Sequence, residues 1–145
     1  MVGILITSHG NLCKEILASA EMIAGKQEGV ETVSLDEKGI EAFSEKLSSK
    51  LEECLLTYDE LIILADITNA TPYNNCYRFA LEHPEAKIHL LSGFNLSMVV
   101  ELLVMRSFET NTEDLINHIV TTGKNSVELT PLNEIDDVED EILLW

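Results

Sequence analysis

Residues 2–10 read Val2-Gly3-Ile4-Leu5-Ile6-Thr7-Ser8-His9-Gly10, and residues 60–72 read Glu60-Leu61-Ile62-Ile63-Leu64-Ala65-Asp66-Ile67-Thr68-Asn69-Ala70-Thr71-Pro72. Each opens as a short apolar run, at Val2–Thr7 and Glu60–Ala65, and stops abruptly in small polar residues. A run of that length without polar alternation reads as a strand buried on both faces, and such strands belong to parallel sheets. Outward from these two runs the hydrophobic spacing changes. Leu12, Ile16, Ala20 and Ile23 recur at helical intervals before Gly25, and Ile40, Phe43, Leu47, Leu51 and Leu55 mark a longer amphipathic helix. Val30–Leu35 and Lys87–Leu91 are further strands. Thr71-Pro72 opens a helix reaching about Leu81, with Thr71 as its cap and Pro72 in a first turn that needs no N–H there. Asn95–Arg106 is an apolar helix, and Thr112 caps a last one that stops at Gly123. Val127 and Leu129 alternate with polar residues, which predicts a short fifth strand. The order βαβαβαβα(α)β predicts an α/β fold, a mainly parallel sheet of order 2-1-3-4 with helices on both faces.

The chain of 145 residues and 16.2 kDa suits one domain, residues 1–130, followed by a tail, residues 131–145. That tail holds six acids and no bases and ends in the apolar Ile142-Leu143-Leu144-Trp145, which suggests docking through Trp145. The whole chain carries 26 acidic against 9 basic residues, a formal charge of -17 and a pI of about 4.3. Such a balance excludes a non-specific nucleic-acid binder and a protein held on anionic lipid by charge, and it favours basic protein partners. Cys13, Cys54 and Cys76 follow no metal spacing and each falls in a helical pattern, so they read as small core residues of a reducing compartment. The start lacks a basic leader region and no stretch is long enough to cross a membrane, which points to the cytoplasm.

In an open α/β sheet, ligands bind beyond the carboxyl ends of the strands, where the strand order reverses. Three polar segments fall there: Thr7-Ser8-His9-Gly10, Asp66–Thr71 and Ser92-Gly93-Phe94-Asn95. With strand order 2-1-3-4 the first and third strands are neighbours, so His9 and Asp66 meet. An aspartate accepting from one imidazole nitrogen fixes the tautomer and leaves the other nitrogen nucleophilic. Two helix N-termini and the hydroxyls of Ser8, Thr68 and Thr71 around it suit a phosphate group. A strand-end histidine alone is more often structural, and an aspartate alone can simply hold a turn. Together they form a nucleophile and its orienting group.

These residues resemble a known family. GILITSHG, followed by CKEILASAEMIAG, LADITNATPYNNCYRFA and LLSGFNLSMVVELL, is similar in order and spacing to motifs of the mannose-family enzyme IIA of the bacterial sugar phosphotransferase system. The resemblance covers roughly residues 2–125. It implies a phosphoryl carrier in which His9 takes phosphate from the phosphocarrier protein HPr and passes it to enzyme IIB. The membrane subunits IIC and IID are served indirectly. Asp66 matches the orienting aspartate, Thr71 the hydroxyl residue before the proline, and Ser8, Gly10, Thr68 and Asn69 join it as expected phosphate contacts. The ITNATP loop departs from glycine-rich versions of the motif, which leaves the individual donors open. The resemblance further implies a homodimer in which Val127–Thr130 crosses to the partner, and it calls for neither metal nor cofactor. The stop after an acidic tail reads as a free-standing IIA subunit, and Gly10 after the histidine favours the sugar-transport branch.

His83, His89 and His118 read as structural, and Arg78 and Arg106 as scarce cations near the active edge. Tyr73, Phe94 and Met98 suit either a docking patch or the core. The rival from another class is a receiver-like signalling module phosphorylated on Asp66. Such a module wants acids after its first strand, where Ser8 and His9 stand here.

Overall fold

The computed structural model describes residues 1–133. Four strands, β1 (Gly3–His9), β2 (Val30–Leu35), β3 (Glu60–Ala65) and β4 (Lys87–Ser92), form one sheet in the order β2-β1-β3-β4. All three pairings are parallel. Five helices complete the described chain: α1 (Leu12–Ala24), α2 (Ile40–Thr57), α3 (Thr71–Glu82), α4 (Leu96–Met105) and α5 (Thr112–Asn125).

The two-residue period of a strand decides which side chains meet which helices. Ile4 and Ile6 of β1 and Ile62 and Leu64 of β3 face one way, into a core with α1, α4 and α5. Leu5, Leu61 and Ile63 face the other way, against Phe43, Leu47 and Leu51 of α2 and Cys76 and Phe79 of α3. The central strands are therefore apolar on both sides, which is why they read as unbroken runs. Each fully buried Leu or Ile contributes about 1.5–3 kcal/mol relative to exposure. Cys13, Cys54 and Cys76 are free and buried, as the helical spacing predicts. Burial pushes the Cys54 thiol up to about 11 and the Cys76 thiol up to about 12.

Three details differ from the sequence reading. The N-cap of α3 is Ala70, not Thr71, and no side chain caps that end. Asn111, not Thr112, caps α5 by accepting from the Asp114 amide, and the helix continues past Gly123 to Asn125. Val127–Thr130 forms no strand among the described residues, and Val127 and Leu129 are exposed. An isolated strand has no partner to complete its hydrogen bonds, and β4 presents an open edge on its outer side. Residues 134–145, with the proposed docking of Trp145, lie outside the described residues. No helix among the described residues is long and apolar enough to cross a membrane.

Arg106 corrects a fourth expectation, that it lies near the active edge. α4 starts at the carboxyl edge of the sheet and runs back, so its C-terminal neighbour reaches the opposite edge. There the buried guanidinium donates to the carbonyls of Val2, Glu28 and Gly29 and to the Gln27 side chain. It ties the starts of β1 and β2 to the end of α4. Arg78 is exposed in the second half of α3.

Candidate active site at the ends of β1 and β3

β1 and β3 run in register to Thr7 opposite Ala65, which places His9 and Asp66 just beyond the paired residues. One Asp66 oxygen, Oδ2, accepts both the His9 backbone N–H at 3.0 Å and the ring Nδ1 at 2.8 Å. The other, Oδ1, accepts the Ile67 amide at 3.0 Å. Asp66 is nearly covered, with 7% of its side chain exposed, while His9 keeps 48%. Burial pushes the Asp66 carboxyl up, but the His9 backbone and ring hydrogen bonds, the His9 charge and the Ile67 amide outweigh it. The net result is a carboxyl held below its ordinary value. An ionised Asp66 demands the proton on Nδ1 and leaves Nε2 as the ring nitrogen that it does not engage. The same geometry argues against the receiver-like reading, because both Asp66 oxygens are engaged.

Ser8 and Gly10 serve the turn that carries His9. Ser8 shares the strand face of Ile4 and Ile6, so its side chain points under α1 and is fully buried. Its hydroxyl accepts the Cys13 amide at 2.8 Å and donates to the Gly10 carbonyl at 3.2 Å. It thus satisfies a first-turn amide of α1, whose own N-cap, Asn11, makes no side-chain bond. Gly10 has φ +58, a left-handed turn that glycine adopts freely, and its amide donates to the Leu35 carbonyl at 2.7 Å.

On the other side of His9 stands the loop between β3 and α3. Asn69 adopts φ +68 there, and its carbonyl accepts from the Asn74 side chain at 3.0 Å. Thr71 begins α3, where the absence of a capping side chain leaves the first-turn amides open to an anion. The Thr68 hydroxyl pairs with Ser92, the last residue of β4, at 2.5 Å. It is therefore held toward β4, two strands from His9. Sequence reading places Ser92 at the active edge without a partner. Asn74 has no signal in sequence beyond its position on the first turns of α3.

The remaining histidines have structural partners. His83 stacks on Phe79 at 4.0 Å, His89 meets Glu60 at 3.0 Å and His118 meets Glu101 at 2.6 Å. Met98 is core, Phe94 packs against that core, and Tyr73 stacks on Tyr77 at 6.0 Å.

Among known proteins, the family model EIIA-man, described as the fructose IIA component of the phosphotransferase system, matches residues 3–120. The chain belongs to this family. It is 27% identical over 128 residues to the mannose-specific EIIAB component of Escherichia coli (strain K12), a match that takes 88% of this chain and 39% of that protein. It thus spans about two-fifths of that relative's length. It is 26% identical over 130 residues to the fructose-specific EIIA component of Bacillus subtilis (strain 168), covering 89% and 86% of the two chains. A crystal structure of phosphotransferase system component EIIA from Streptococcus agalactiae superposes with a TM-score of 0.80. It is 30% identical and the match covers 89% of this chain and 97% of that one. The parallel α/β sheet of order 2-1-3-4 is thus the fold of this enzyme IIA family.

Proposed function

We propose that this enzyme IIA chain is a phosphoryl carrier whose acceptor is Nε2 of His9. The observation carrying the proposal is the Nδ1–Asp66 contact at 2.8 Å, beside a histidine that stays half exposed. Nε2 supplies the electron pair, its bond to phosphorus forms, and the bond from phosphorus to the phosphohistidine nitrogen of HPr breaks. The proton on Nδ1 stays there, and Asp66 offsets the positive charge that develops on the ring. The same exchange in reverse sense delivers the group to enzyme IIB, with the chain returned unchanged. Transfer of this kind depends on positioning and on charge stabilisation of the phosphoryl oxygens. The Thr71 hydroxyl and the open amides at the start of α3 are the proposed holders of those oxygens, with Thr68 and Asn69 shaping the loop.

The setting follows the family. The chain works in the cytoplasm as a homodimer, with Val127–Thr130 exchanged onto the open edge of β4, and it feeds IIC and IID through IIB. The transported sugar is not assigned, since relatives named for mannose and for fructose match at 27% and 26% identity. Incubation with phosphorylated HPr tests the proposal. The native chain takes up acid-labile, base-stable phosphate, and His9→Ala takes up none. Undiminished uptake by His9→Ala, or a label lost in mild alkali as an acyl phosphate is, overturns it.

A further inference from the structure

The loop from Asp66 to Ala70 must hold its shape for the site to work, yet it contains no glycine and no regular structure. Its first residue is tied to β1 through His9, at 3.0 and 2.8 Å. Its later part is tied to α3 through Asn74 and Asn69, at 3.0 Å. Thr68, the middle, is joined to β4 by the 2.5 Å hydroxyl pair with Ser92. These are its three side-chain ties to the rest of the fold among the described residues.

Ser92 is a fixed post. It lies in register opposite Ala65, and the amide of the next residue, Gly93, donates to the Ala65 carbonyl at 3.0 Å. Gly93 then turns away with φ +77. The sheet thus sets where the Ser92 hydroxyl stands, and the loop, not the strand, answers to their bond. One hydroxyl of the pair donates to the other, so one O–H remains to donate at the rim of the site.

We infer that Ser92 is a positioning residue for phosphoryl transfer, acting through Thr68 to set the 66–70 loop and the start of α3 relative to His9. The inference rests on the reading of His9 as phosphoryl acceptor. Displacement of a positioned group by about 1 Å costs up to about 10²-fold in rate, and loss of one tether of three costs part of that.

The test uses the full chain and phosphorylated HPr. Ser92→Ala and Thr68→Val each slow transfer to His9 by about tenfold with KM for phospho-HPr unchanged. The double variant is no slower than either single, because both remove the same bond. Ser92→Thr, which keeps the hydroxyl, restores the rate to within about twofold. Far-UV circular dichroism and the thermal midpoint of all four match the native chain. A Ser92→Ala rate within about twofold of native, or a double variant whose loss is the product of the singles, overturns the inference. A native chain that takes up no phosphate overturns the His9 reading itself, and this outcome is distinct from the other two.

Discussion

At the scale of single residues, His9 and Asp66 are legible in sequence because a buried strand announces its own end. The apolar run stops, the next residue stands at the sheet edge, and neighbouring strands bring two such residues together. Ser8 is one position away and has the opposite fate. The period of two turns it under α1, where its buried hydroxyl holds Cys13 and Gly10. Alternation from Ile4 and Ile6 carries that signal, whereas residue type alone suggests a ligand. The Asp66 carboxyl yields a prediction with a defined sign. Burial raises it, the His9 and Ile67 hydrogen bonds lower it further, and the folded value lies under the ordinary 3.8. Its contribution to stability is thus fully present above that value and is lost as pH falls through the folded one. In Asp66→Asn no carboxyl titrates at this position, so stability measured by urea unfolding falls less steeply below about pH 4 than in the native chain. Equal slopes for the two proteins would show that the carboxylate is not held by these bonds. The same variant accepts phosphate from HPr about 10²-fold more slowly, because an amide fixes the ring without matching its charge.

At the scale of elements, the four strands and five helices follow from hydrophobic period, and most of their ends follow from glycine, proline and polar breaks. What escapes is any feature that depends on where a long side chain finally reaches. Arg106 is the clearest case, since element order places it near a helix that starts at the active edge. A helix rises about 1.5 Å per residue, so ten residues carry its end some 15 Å to the far side of the sheet. There it donates to three carbonyls at the starts of β1 and β2, those of Val2, Glu28 and Gly29, the last of which also accepts from the Ile4 amide. Burial lowers its pKa, with Tyr58 opposing the shift. Arg106→Ala is expected to destabilise the chain by about 2–4 kcal/mol by removing a buried donor from those carbonyls and leaving a cavity. Transfer to His9 at a temperature where the variant stays folded is unchanged, because the two sites occupy opposite edges. Thermal unfolding paired with the phosphate-uptake rate checks both parts. The expected fifth strand fails for a related reason: alternation at Val127 and Leu129 states a preference, but no strand pairs with these residues among the described ones.

At the scale of the whole molecule, the excess of 26 acids over 9 bases has no part in the chemistry proposed at Nε2 and bears on encounter instead. A carrier must meet a donor and an acceptor in turn and release each. Long-range attraction speeds such meetings without the tight contacts that would slow release. Acids stand at the correct end for this, with Glu15 in the first turn of α1 and Glu41 in the first turn of α2, both helices starting at the edge that carries His9. The expected partners therefore present basic rims around their phosphorylated residues. The second-order rate of transfer from phospho-HPr should fall by about tenfold as ionic strength rises from about 0.02 to 0.5 M, where screening shortens to a few ångströms. A rate that ignores salt would remove charge from the account of partner choice. Six of the acids lie in residues 134–141, beyond the span of the family match at residues 3–120. If that segment contributes solubility alone, a chain ending at Asn133 keeps the full salt dependence. A shallower slope in the shortened chain would instead assign part of the steering to the tail.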